Sequence, residues 1–120
     1  MKTIYENNLI RVDIEKSEVP WLKIFSQKPY REFFDATEEV KTEIIRALDI
    51  IGKEMIEFYE PEKINIASFG NYIPHLHWHV MARFKNDSYF PEPMWGSKQR
   101  SGSYRLKRFD EFIEAVQRKI

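Results

Sequence analysis

The chain has 120 residues, 42% of them hydrophobic and 15% aromatic, a composition that supports one compact domain with a sizeable core. Nineteen basic and nineteen acidic residues cancel, so the broad positive footprint of a nucleic-acid-binding domain is absent. There is no cysteine, which excludes disulfides and thiolate-bound zinc. With no apolar leader-like run and no segment approaching a membrane span, a cytoplasmic location without membrane contact is expected.

Residues 9–15, "LIRVDIE", alternate. Ile10, Val12 and Ile14 fall on one face and Arg11, Asp13 and Glu15 on the other, the pattern of a half-buried strand. "SEVP" breaks the run, and "WLKIF" at 21–25 is a second strand, with Leu22 and Ile24 on its apolar side and a hairpin as the simplest pairing. Asp35 and Glu38 have the spacing of a capping box, with Thr37 as a competing cap. Val40, Ile44, Ala47, Leu48, Ile51, Met55 and Phe58 then recur at helical spacing. They predict an amphipathic helix over 36–59, stopped by Pro61. "KINIAS" at 63–68 alternates again, and "FGNYIP" is a turn.

The next run, "HLHWHVMAR", is alternating throughout and predicts a strand paired antiparallel with 63–68. From residue 85 the chain is irregular, ordered by Tyr89, Phe90, Met94 and Trp95. Leu106, Phe109, Phe112, Ile113, Val116 and Ile120 predict a C-terminal helix. Its mixed polar face suits packing or dimerisation rather than a membrane surface. The expected class is a single α+β domain, with a core about 9–96 and a helical segment at 97–120.

His75, His77 and His79 are the only histidines in the chain. On a strand they share one face, and Leu76, Trp78 and Val80 share the other. A metal site is one reading, since three protein ligands are common at catalytic zinc. Strand geometry sets the backbones of His75 and His79 roughly 13 Å apart, so three alternate imidazoles hardly converge on one ion. A carboxylate such as Asp13 or Glu15 would have to help. The other reading uses the row as a row: one imidazole attacks phosphorus and its neighbours bind the flanking oxygens. Asn65 falls on the histidine face by parity. Gly70 suits a turn needing positive φ, and its backbone can also contact an anion. Arg83 ends the same face and is a candidate phosphate contact. Trp21 and Trp95 could stack on a base or serve as core residues. The basic run Lys98, Arg100, Arg105, Lys107 and Arg108 reads as a solvated face or as a dock for an anionic tail.

"HLHWHVM" resembles the histidine triad motif, His-φ-His-φ-His-φ-φ with φ apolar, and Leu76, Trp78, Val80 and Met81 fill the φ positions. Asn65 on the preceding strand, Gly70-Asn71 in the turn and the later "WG" are similar to the family's surroundings. The resemblance covers 9–96 and is nearest to small bacterial members. It implies a bent antiparallel sheet with one long helix and a C-terminal helix. It also implies nucleotidyl hydrolysis or transfer at an α-phosphate, no required metal, and a homodimer. The substrate would be a dinucleoside polyphosphate or a nucleoside phosphoramidate. By the same resemblance His77 is the nucleophile, His79 lies near the phosphate and leaving group, His75 flanks them, and Asn65 and Asn71 contact phosphate. The chain departs from the pattern at Asn71-Tyr72, where many members have glutamine and then a small hydroxyl. It departs again at Pro20-Trp21-Leu22, where many have a fourth histidine, and at Glu15-Lys16, where a ribose contact is usual. A nucleotide-binding module with little turnover, and a zinc-dependent hydrolase, are the alternatives.

Overall fold

Alternation of apolar and polar residues over short runs, bounded by turn residues, yields strands here, and one long period-3.6 run yields the principal helix. The computed structural model describes residues 2–120. Its strands are β1 (Thr3–Glu6), β2 (Ile10–Ile14), β3 (Trp21–Ser26), β4 (Lys63–Ala67) and β5 (His77–Arg83); its helices are α1 (Glu38–Tyr59) and α2 (Phe109–Lys119). The strands form one open antiparallel sheet in the order β1-β2-β3-β5-β4. The expected α+β class holds. Strand β1 is an addition to the sequence reading: four residues are too few to display a period, and pairing with β2 supplies the missing stability. Thr3 Oγ1 also donates to Asp13 Oδ1 at 2.7 Å.

Helix α1 begins at Glu38, because the Thr37 side chain accepts from the amide of Val40 and satisfies one otherwise orphaned N–H. Asp35 instead closes a single 3-10 turn, Phe33–Asp35, against Glu32. The apolar stripe of α1 lies on the sheet. Ile44, Ile51 and Met55 meet Ile10, Val12, Leu22, Ile24 and Val80, all fully buried. The same buried cluster takes in Ile4 of β1 and Phe112, Ile113 and Val116 of α2. Both ends of the chain therefore join one core.

The opposite sheet face carries the polar residues. Cross-strand pairing sets Lys23 beside His79 and Phe25 beside His77, with Asp13 beside Lys23 and Arg11 beside Phe25. This face is also covered, so every residue of β3 is buried. Part of its cover comes from the segment after β5, where Trp95 packs on Trp21 and His79 and Phe90 lies against Arg83; polar contacts order that segment as well as the expected aromatic ones. Asp87 is its hub, accepting from Arg83 and from the amides of Phe84, Tyr89 and Phe90, while Arg100 reaches the Asp87 carbonyl. Among the described residues no helix is long and apolar enough to cross a membrane.

Candidate active site

Strand β5 begins at His77, not at His75. His77 and His79 both point off the core face, with ring centroids 5.0 Å apart. They line an open cleft of about 510 Å³ together with Glu15 and Lys23 from the β2–β3 side and residues Phe69–Ile73 from the turn after β4. Trp95 closes one end. A site of this size is in the range of small-molecule pockets.

Each ring has one nitrogen committed to a partner that can play only one role. His77 Nδ1 lies 2.7 Å from the carbonyl oxygen of His75. A carbonyl only accepts, so this nitrogen carries the proton and Nε2 keeps its lone pair. The His77 ring is stacked on Phe25, at 4.8 Å and 20°, which fixes its plane. His79 shows the reverse arrangement. Trp21 Nε1–H donates to His79 Nδ1 at 3.0 Å, and an indole N–H only donates, so the proton of the neutral His79 ring sits on Nε2. Burial, followed by the neighbouring charges of His77 and Lys23, pushes His79 down to about 4; at neutral pH it is uncharged.

His75 stands outside the strand and is not among the walls of the cleft. Its Nε2 donates to the carbonyl of Ser26 at 2.6 Å and its ring meets Phe25 edge-on at 5.5 Å. The resemblance makes it a flanking catalytic histidine; in the structure its ring holds the chain entering β5 and its backbone oxygen accepts from His77 Nδ1. The strand stops short of it because Leu76 N–H bonds to Tyr30 and Ser26 N–H to Leu76, which turns the chain off the ladder.

Arg83 also departs from expectation. It is 1% exposed and its guanidinium grips Asp87 through Nε and Nη2 at 3.0 and 3.1 Å. The remaining Nη1 donates to Asn65 Oδ1 at 2.9 Å. Parity puts Arg83 on the histidine face, but Asp87 draws it under the following loop and away from the cleft. Asn65 lies opposite Met81, on the far side of Trp95, in a separate groove of about 450 Å³. Its oxygen is already engaged by Arg83. Gly70 and Asn71 do line the cleft, and Gly70 takes the expected positive φ, 71°.

Three residues of β3, one on the cleft wall and two behind the histidines, carry more weight than their sequence positions suggest. Lys23 is nearly buried beside His79 and pairs with Glu15 at 3.1 Å. Trp21, one of two tryptophans open to base stacking or core packing in the sequence, is a buried hydrogen-bond donor. Phe25 is the platform under His77. All three sit at alternate positions of β3, a usable signal once β3 is known to pair with β5. No local pattern announces that pairing, because α1 and β4 intervene. Trp95 remains 48% exposed and packs edge-on against His79, Trp21 and Phe69 at 4.8–5.2 Å.

An open five-stranded antiparallel sheet thus presents two oppositely tautomerised histidines from the interior strand β5 to one cleft. The chain belongs to the histidine triad family: the HIT domain model matches residues 2–86. Bacterial histidine triad proteins share its fold throughout. One from Bradyrhizobium japonicum is 30% identical, with a TM-score of 0.82 over 99% of this chain and 90% of the other. One from Sinorhizobium meliloti is 23% identical, with a TM-score of 0.79 over 98% and 88%. One from Marinobacter aquaeolei is 23% identical, with a TM-score of 0.74 over 98% and 84%. No curated protein matches the chain.

Proposed function

We propose that the protein is a nucleotidyl hydrolase or transferase that works through a covalent His77–nucleotide intermediate. The observation that carries this reading is the 2.7 Å bond from His77 Nδ1–H to the His75 carbonyl. It leaves Nε2 as a lone-pair nitrogen on the cleft wall. In the first step a bond forms between Nε2 and the α-phosphorus while the bond to the leaving group breaks. The leaving group departs with that electron pair and takes a proton from solvent. Water then attacks phosphorus, the P–N bond breaks with its pair returning to Nε2, and the water's second proton is released to solvent. Two inversions at phosphorus replace one difficult displacement.

The charges around the cleft narrow the substrate. Among the described residues that line it, Lys23 is the one lysine or arginine, and Glu15 neutralises it; His79 is uncharged. Phe69, Ile73 and Trp95 supply apolar wall. A chain of additional phosphates would lack unpaired cations here, so a nucleotide with a single charged phosphate and an uncharged leaving group, such as a nucleoside phosphoramidate, fits better than a dinucleoside polyphosphate.

A second reading, a nucleotide-binding module with little turnover, draws on a specific observation. Of the expected phosphate contacts, Arg83 is committed to Asp87 and the Asn65 oxygen to Arg83, leaving Gly70 and Asn71 at the cleft. Turnover of adenosine phosphoramidate and of diadenosine polyphosphates separates the two. The enzyme reading expects wild-type turnover, abolished in His77→Ala with the fold intact, and a nucleotidyl adduct on His77 in rapidly quenched samples. Full activity in His77→Ala would overturn it. AMP binding by calorimetry with no turnover of either substrate would establish the module.

A further inference from the structure

His79 is held on one side by an indole. Trp21 is buried, and its ring is braced edge-on by Trp95 at 5.2 Å and 80°. Its backbone pairs with Met81, so the indole leans along the sheet by one residue pair to reach His79 Nδ1 at 3.0 Å. Protonation of His79 at Nδ1 would set two N–H groups head to head at that distance. The cation therefore requires loss of the Trp21 bond and displacement of a braced ring. A neutral imidazole, in turn, does not release its Nε2 proton to a leaving group, because the product would be an imidazolate.

We propose that Trp21 is a positioning residue: its indole N–H holds His79 neutral with the proton on Nε2, so that His79 is a fixed hydrogen-bond donor to a phosphoryl oxygen and not a carrier of protons. This deepens the nucleotidyl-transfer reading and rests on it for the phosphoryl partner. The tautomer itself does not depend on that reading. A preset N–H dipole aimed where charge gathers on the phosphorane stabilises the transition state without reorganisation. The groups able to bias His79 are His77 on its own strand, Lys23 on β3 with Glu15 paired to it, and Tyr72 across the cleft. Ala67 of β4, its other cross-strand neighbour, is apolar. Burial, followed by His77 and Lys23, acts in the same direction as the indole.

Long-range proton–nitrogen NMR on the full-length, nitrogen-15 histidine-labelled protein tests this without any substrate. His79 is assigned from the spectrum of His79→Gln. In wild type, His79 is expected to show a bare Nδ1 and a protonated Nε2 from pH 5 to 8, with and without added AMP. Trp21→Phe should raise its titration midpoint by at least one pH unit. A second replacement, benzothienylalanine at position 21, keeps the indole shape with sulfur in place of N–H; it should give the same rise, and it serves where the Phe variant does not fold. A proton on Nδ1 in wild type, a cationic His79 in the wild-type AMP complex, or an unchanged midpoint in both variants would overturn the proposal. If the tautomer is as expected but His77→Ala stays active, the nucleotidyl-transfer reading fails while the positioning by Trp21 stands.

Discussion

His77 and His79 lie two residues apart on one strand, with ring centroids 5.0 Å apart, yet they carry their protons on opposite nitrogens. One Nδ1–H donates to the carbonyl of His75; the other Nδ1 accepts from the indole of Trp21. The same residue type thus supplies a lone pair and an N–H donor to one cleft, with the difference written entirely in the partners. The proposed nucleotidyl transfer calls for both, one as nucleophile and one as oxyanion donor.

The buried neutral state of His79 makes stability depend on pH. Its folded value, about 4, lies below the ordinary 6.5 of an unfolded chain. Between the two the unfolded state binds the extra proton. Stability is therefore fully present above about pH 6.5 and falls as pH drops toward 4, by a total on the order of 3 kcal/mol. Urea unfolding at a series of pH values should show this slope, and His79→Gln should flatten it. A wild-type slope of zero across that window would contradict the buried neutral ring.

Arg83 and Asp87 form a buried pair, 1% and 0% exposed. Burial alone would push Asp87 up, but hydrogen bonds from Arg83 and from the amides of Phe84, Tyr89 and Phe90 outweigh it and hold the carboxyl below its ordinary value. Arg83→Met removes the cation and leaves the carboxylate buried, which should cost about 3–5 kcal/mol. Hydrogen exchange is expected to accelerate first in residues 88–104, which hang on Asp87. Wild-type protection in that segment would show that the loop is held by other contacts.

Gly70 separates two effects that are often merged. A Cβ there would meet the Ile73 carbonyl at 3.5 Å, an ordinary contact, while φ stands at +71°. Gly70→Ala should therefore cost only the left-handed backbone penalty, about 1–2 kcal/mol, read as a lowered thermal midpoint. A loss well beyond that would point to steric conflict in the turn.

Phe112 of α2 is fully buried among Phe58, Tyr59 and Phe109. Its removal should destabilise the whole domain, by about 3–5 kcal/mol for Phe112→Ala, in a single transition followed by denaturant. Two separate transitions would mean that α2 unfolds independently of the sheet.

Much of this molecule was legible along the chain. Period two gave β2, β3, β4 and β5 within one or two residues, and period 3.6 gave α1 and α2, because a side chain's face follows from backbone geometry alone. By that rule His77, His79, Asn65 and Arg83 do share a face. The rule is silent on what each side chain meets there. Asp87 draws Arg83 out of the cleft, although the two are only four residues apart, because a buried guanidinium requires a paired anion. His75 leaves the row because Tyr30 and Ser26 take the backbone bonds around it.

The two tautomers depended on tertiary structure most of all. The three histidines alternate identically in the sequence, and nothing in their spacing says which ring nitrogen carries the proton. Trp21 reaches His79 across 58 positions of chain, and only the pairing of β3 with β5 brings it there. Local periodicity sets direction; the protonation state of a buried imidazole is set by its hydrogen-bond partner, and that partner is a product of the fold.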